Sequence, residues 1–270
     1  MKWDKEKVLK RLKEIENSIG RRPVKRDNSY LYFLSRKYFG TWNNMIEKAG
    51  YIARRCQQIS TPNIKSNLFY YFLGLLITDG HIQEDKIGGR YRIILYTSYN
   101  EEKELIVELV KRLFKYNPPI RKKKYGFNVK ENFEIMINSK ELCYLILDKV
   151  RIPSGAKSLT IRIPKFILKS KKEQILNFIR GVFDGDGSIV KTKKANYFKI
   201  VSGSKEFIID LKNVFLDLGF DSVLINKDRD KLWTLKINKY NHIKRLYPLI
   251  YNKSGGFYYH RKERIWKQYI

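Results

Sequence analysis

The sequence predicts an α+β protein: two similar halves built of helices and hairpin strands, preceded by a small all-helical module. Three observations lead there. Residues 1–50 place their apolar side chains at helical spacing only; from residue 67 onward helical stretches alternate with short strand-like runs; and the order helix, strands, helix, strands, helix occurs twice. With 270 residues, 43% of them hydrophobic, the chain is long enough for a large core domain and a smaller partner.

The first helix is read from "DKEKVLKRLKEIENSIG", where Val8, Leu9, Leu12, Ile15 and Ile19 fall at helical spacing, Asp4 serves as N-cap and Gly20 as the stop. A second helix after Pro23 carries Leu31, Leu34 and Tyr38 as far as Gly40. Thr41 caps a third, which buries Trp42, Met45 and Ile46. Three short helices with tight turns outline a helix-turn-helix type of module, residues 1–50. Residues 51–66 lack periodicity and read as a linker in which Arg54 and Arg55 are available to phosphate.

The first half, 67–170, opens with "SNLFYYFLGLLITDG", apolar on more than one stripe and so buried against several neighbours. A strand (91–96), the helix "EEKELIVELVKRLF", a strand (133–138) and the helix "KELCYLILDKV" follow. The second half, 171–270, repeats the order with "KKEQILNFIRGVFDGDG", a strand (197–202), "KEFIIDLKNVFLDLG", a strand (232–238), "YNHIKRLYPLI" and a C-terminal tail. Duplication inside one chain predicts a monomer with a shared site at the seam of the two halves.

Fifty-six Lys and Arg against 27 Asp and Glu give a net charge of +29. Self-repulsion of that size opposes compaction and serves an anionic partner, with nucleic acid first. A membrane surface is the competing polyanion, but no stretch approaches the roughly 18 apolar residues of a spanning helix and none resembles a signal peptide. The expectation is a cytoplasmic protein, nucleoid-associated in a prokaryote. Cys56 and Cys143 have neither disulfide nor zinc-ligand spacing, and His81, His242 and His260 form no nuclease or metal motif.

Against this basic background, the acids of "ITDG" (77–80) and "FDGDG" (183–187) need a reason. Gly74 and Gly181 each stand five residues before Asp79 and Asp186, and a mid-helix glycine costs about 1 kcal/mol relative to alanine. Close approach of the two helices at those glycines explains both, and brings Asp79 and Asp186 together. Two carboxylates at two helix C-termini repel each other and the dipoles. Divalent cations relieve this, Mg²⁺ binding to carboxylates and waters, and stabilise the attacking and leaving oxygens of a phosphodiester.

The segments "FLGLLITDG" (72–80) and "IRGVFDGDG" (179–187) resemble the two motifs of the LAGLIDADG homing endonucleases in their single-chain, two-repeat form, over about residues 67–260. The resemblance implies two αββαββα halves joined at their motif helices. It also implies metal, Mg²⁺ or Mn²⁺, held at Asp79 and Asp186 in the turns with Gly80 and Gly187. Antiparallel strands then form a saddle over the major groove of double-stranded DNA, and each acid serves the hydrolysis of one strand. Intron or intein mobility would follow from such cleavage. Departures from the pattern are Ile77 where the second copy has Asp184, and Arg180 in place of a small apolar residue. The family's basic residue near the attacking water is assigned here to Lys236, whose counterpart is Met136. Residues 3–50, with "GRRP" and "FGTWNNMIEKAG", resemble a short repeat often joined to homing endonucleases as an extra DNA-binding unit.

On the hairpins, basic residues gather at corresponding places of both halves: Arg90, Arg92, Arg121, Lys122, Lys123 and Lys124 in the first, Lys191, Lys193, Lys194, Lys227 and Arg229 in the second. There they can reach phosphates or guanine edges. Two other functions fit the same fold: an intron maturase with an RNA partner, and a DNA-binding regulator that does not cut. Neither needs the two acids, which favours the nuclease.

Overall fold

In the computed structural model, residues 3–52, 58–87, 89–124, 131–191, 196–227 and 232–270 are described. The chain divides into two compact units, Met1–Gln58 and Ile59–Ile270.

In the first unit, Asp4 Oδ1 accepts from the Lys7 N–H (2.8 Å) to start α1 (Lys5–Ile19), and Gly20 ends it at φ 67°. Asn28 caps α2 (Ser29–Phe39) and Thr41 caps α3 (Trp42–Lys48) in the same way. Val8, Leu12, Leu31, Leu34, Trp42, Met45 and Ile46 form its core. Ile19, although in phase with them, is the last residue of the helix and is exposed.

The second unit contains two copies of one plan. The first comprises α4 (Asn67–Asp79), β1 (Gly80–Asp85), β2 (Arg90–Thr97), α5 (Asn100–Phe114), β3 (Ile120–Lys124), β4 (Glu131–Asn138) and α6 (Lys140–Tyr144). The second, after the short α7 (Lys165–Leu168), comprises α8 (Lys172–Asp186), β5 (Gly187–Lys191), β6 (Asn196–Ser202), α9 (Lys205–Asp217), β7 (Val223–Lys227), β8 (Trp233–Ile237) and α10 (Tyr240–Tyr251). Each makes a four-stranded antiparallel sheet of the same order, β1-β2-β4-β3 and β5-β6-β8-β7. Alternation sets the faces: Ile82, Ile93, Leu95, Ile135 and Ile137 point to the helices and are buried, as are Phe198, Ile200, Leu235 and Ile237 in the second sheet. The intervening residues form the opposite, more open face of each sheet, on which Ile94, Glu134, Met136 and Thr234 are also buried.

Three local features differ from the sequence reading. The helix expected to run through residue 150 widens after α6 into a π-helical turn, Leu145–Val150, closed by Arg151 N–H on the Ile146 carbonyl (2.8 Å). Ile59 and Ile64, expected in a linker, pack on the core of the second unit. The C-terminal tail contains α11 (His260–Lys267), pinned because Trp266 is fully buried against Phe183 (4.8 Å) and Phe198 (5.4 Å).

Candidate active site at the helix junction

α4 and α8 touch backbone to backbone. A Cβ on Gly74 would stand 2.3 Å from the Phe178 carbonyl oxygen, and one on Gly181 2.2 Å from that of Tyr71. No side chain fits there, which is why both helices accept a residue of poor helix propensity. The helices end together in consequence: Gly185 lies so close to the first motif that a Cβ would meet Thr78 Oγ1 at 1.9 Å and Asp79 Oδ2 at 3.1 Å.

Asp79 and Asp186 are the last residues of their helices. Burial pushes the Asp79 carboxyl up from 3.8 to about 7, with the negative charge of Asp186 adding to the effect. Burial also raises Asp186 to about 6, against the pull of Lys262 and Lys157. These two lysines were not singled out in the sequence. Lys157 comes from the connection between the repeats and donates its Nζ to the Gly80 carbonyl at the end of α4. Lys262, on α11, donates to the carbonyls of Phe183 (2.9 Å), Gly185 (2.7 Å) and Gly187 (2.8 Å) at the end of α8. Each motif helix therefore has an ammonium against its negative terminus. Both lysines are pulled below their ordinary value by burial, while the acids oppose that loss.

Two cavities flank the acids. One, of about 540 Å³, is lined by Asp186, Lys157, Thr78, His81, Tyr96 and Val201 among others; the second, of about 240 Å³, by Asp79, Tyr99, Glu102, Asn132 and Arg261 among others. Tyr96 and Val201 lie on the open sheet faces, so the larger cavity opens towards the strands of both repeats. Among the described residues no group of three or more His, Cys, Asp or Glu converges on one point. The two hard oxygen donors nevertheless fit Mg²⁺, which keeps several waters and takes one or two carboxylates together with substrate phosphate. Their raised pKa values show that burial disfavours the charged carboxylates, a cost that a bound cation would offset. The carbonyls of Gly80 and Gly187, the two glycines grouped with the acids in the sequence, accept from Lys157 and Lys262.

Comparison with known proteins agrees with this geometry. Residues 173–251 match the model of the LAGLIDADG-like domain, and residues 3–52 that of the homing endonuclease associated repeat. The fold is shared with the homing endonuclease I-WcaI bound to its DNA recognition sequence (17% identity, 76% of this chain and 87% of that one, TM-score 0.51). It is shared equally with I-DmoI in complex with DNA and Mn (18% identity, 68% of this chain and 97% of that one, TM-score 0.50). Residues 173–251 belong to a LAGLIDADG-like domain, and the two-repeat fold is the one those two endonucleases have. Among curated relatives it is 26% identical to tRNA-splicing ligase RtcB of Pyrococcus furiosus over 62% of this chain. It is 25% identical to replication factor C small subunit of Methanocaldococcus jannaschii over 92%. The chain spans only 19% and 15% of the length of these two relatives. A probable cell division protein WhiA of Clostridium botulinum matches at 28% identity over 49% of this chain and 43% of its own length.

The basic residues of the two repeats divide by strand parity. Arg90 and Arg92, across from Asp85 and Gln83, lie on the open face of the first sheet, as do Arg121 and Lys123. The last two are held by Glu134, which is only 3% exposed, at 3.7 and 2.7 Å. Lys236 lies on the open face of the second sheet, opposite Lys199 and over the Tyr197 ring (5.1 Å), but lines neither cavity beside the acids. The ammonium groups at the acids belong to Lys157 and Lys262 instead. Lys122, Lys191 and Lys227 share the parity of the core residues Phe133, Ile189 and Ile225, and so start from the helix side of their sheets. Lys122 accordingly lies near the Phe133 ring and Lys191 near Tyr269. Lys124 is the last residue of β3. Arg54, Arg55, Lys193, Lys194 and Arg229 lie outside the described residues.

Proposed function

We propose that this protein is a site-specific endonuclease that hydrolyses both strands of double-stranded DNA with a divalent cation. The observation that carries the reading is the pairing of Asp79 and Asp186 at a helix contact that excludes every side chain, between cavities that open on basic sheet faces. Asp79 and Asp186 would hold Mg²⁺ or Mn²⁺, which supplies charge to the attacking and leaving oxygens. Lys157, lining the cavity of Asp186, presents its ammonium where the charge on a scissile phosphate grows. Lys262 offsets the terminus of α8 and ties the last turn of that helix, at Gly185, to the start of β5, at Gly187, around the acids. Arg90, Arg92, Lys199 and Lys236 on the open faces contact the duplex. The two cavities differ in every lining residue except Tyr96, so an asymmetric target is expected.

The homing context is supported from a separate direction. A ligase and a replication factor have no named function in common, and the match occupies 19% and 15% of each. A segment embedded in unrelated hosts is what an inserted, intein-borne endonuclease would look like. A relative named as a probable cell division protein carries no nuclease name, which leaves as second reading a DNA-binding regulator that does not cut, for which the paired acids would have no use.

Incubation with a randomised duplex library and Mg²⁺ tests the proposal. Recovery of one discrete long cut sequence supports the endonuclease; tight binding without cutting under any divalent cation moves the regulator reading to the front.

A further inference from the structure

One turn apart on α8 sit two charged side chains for which cleavage gives no task. Arg180 is 2% exposed and Asp184 1%. Buried charge is costly unless it is paired and hydrogen-bonded, and three of the bonds these two groups make go to the end of α10 and the chain between α10 and α11. Arg180 donates from Nε to the Phe257 carbonyl (2.9 Å) and from one terminal nitrogen to the Ile250 carbonyl (3.0 Å). Its other terminal nitrogen meets Asn177 Oδ1 (2.5 Å), and the guanidinium lies 5.0 Å from the centre of the Tyr71 ring. Asp184 Oδ2 accepts from the Tyr259 backbone N–H (2.9 Å) and the Tyr71 hydroxyl (2.8 Å). Its other oxygen, Oδ1, has no hydrogen-bond partner and is the atom a cation would use.

The bonded positions bracket the segment, Ile250 at its entry and Tyr259 at its exit. The next residue, His260, opens α11, and Lys262 follows within the first turn. Leu73 and Ile77 occupy the corresponding positions of the first motif. The connection that carries Lys157 is tied elsewhere, by the Gly155 N–H on the Ile82 carbonyl (3.0 Å).

We propose that Arg180 and Asp184 are positioning residues that seat the start of α11 and so set Lys262 against the acid pair, Asp184 serving as a backbone anchor although it is an acid of the motif. The effect on cleavage rests on the endonuclease reading; the seating of α11 does not.

Three measurements on the full chain test the two parts separately. In Arg180→Met, amide exchange across residues 257–267 is expected to quicken at least about tenfold while the core of the first repeat is unchanged; unchanged exchange overturns the anchor whether or not the protein cuts DNA. If Arg180→Met does not fold, Arg180→Lys, which keeps the charge but reaches only one carbonyl, takes its place with the same criterion. On cleaved DNA, Arg180→Met and Lys262→Met are each expected to slow the chemical step about 10- to 100-fold, with DNA affinity within about threefold of wild type. The double variant should then be no more than about threefold slower than the slower single one. Multiplying effects would show that Arg180 does not act through Lys262. Asp184→Asn keeps an acceptor for Tyr259 and should need the same Mg²⁺ concentration; a rise of about tenfold or more in that requirement assigns Asp184 to the cation and overturns its anchor role. A wild type that never cuts, with exchange quickened in the variant, sinks the endonuclease reading and leaves the anchor standing.

Discussion

Gly181→Ala puts the helix contact to a quantitative test. The new Cβ would stand 2.2 Å from the Tyr71 carbonyl oxygen and 2.9 Å from both Gly74 Cα and the Leu75 nitrogen. Relaxed contacts between such atoms run at about 3.5 Å, so α4 and α8 must part by about 1 Å. In an exposed helix the same substitution would stabilise by about 1 kcal/mol. Here all the clashing atoms are main chain and cannot rotate away, so a cost near the upper end of overpacking, about 3 kcal/mol net, is expected. Urea unfolding measures it as a lower midpoint at unchanged slope. Gly74→Ala, which meets the Phe178 carbonyl at 2.3 Å, should cost a similar amount. The double variant should cost less than the two together, because one separation relieves both clashes. Cleavage should fall as well, since the acids ride on the helix ends. A neutral or stabilising Gly181→Ala would refute the contact.

Further outcomes follow from the same geometry. Asp79 sits at about 7 and Asp186 and Asp184 at about 6 against an ordinary 3.8, so the folded chain keeps protons that the unfolded chain releases. The metal-free second unit should therefore lose stability as pH rises from about 4 to about 7, and melts at pH 5 and pH 8 should show the higher Tm at pH 5. Asp79→Asn removes the largest part and is expected to stabilise by about 2 kcal/mol at pH 8 without metal, discounted for the partial exposure of Asp79. Gly185→Ala, with its Cβ 1.9 Å from Thr78 Oγ1, should displace Asp79 and cut cleavage by about tenfold or more, read against retained DNA affinity in a gel-shift assay. Leu12→Ala, at a fully buried site of the helical unit, should lower that unit's stability by about 2–5 kcal/mol while the melt of the second unit stays in place.

The parts of the molecule governed by local pattern were legible in the sequence. Asp4 and Thr41 announced their helices through side-chain caps, and the two mid-helix glycines announced a helix contact because they are tolerated only for a reason. From that contact the meeting of Asp79 and Asp186 followed. Lys157 and Lys262 were not legible, since each lies far beyond the motif helix whose end it contacts and only the tertiary path returns it there. The sole local signal was a small-residue turn after the last helix of each repeat, "PSGAK" and "KSGGF". A strand lysine such as Lys236 fits the family pattern, but the register sets it among Lys199 and Tyr197 rather than beside the acids. Lys122, Lys191 and Lys227 show the same limit: clustering by composition ignores the period of two that sends alternate side chains to opposite faces. The helix α11 was hidden because its buried face is carried mainly by Trp266 amid charged neighbours, so it lacks an apolar stripe.

The central claim is that Asp79 and Asp186 together cut DNA. The most direct measurement is the linearisation of a supercoiled plasmid carrying the library-selected site, with Mg²⁺, by wild type, Asp79→Asn and Asp186→Asn at matched DNA occupancy. The account predicts linear product from wild type and loss of double-strand cleavage by at least about a hundredfold in each variant, with binding retained. Linear product formed at the wild-type rate by either variant would contradict it.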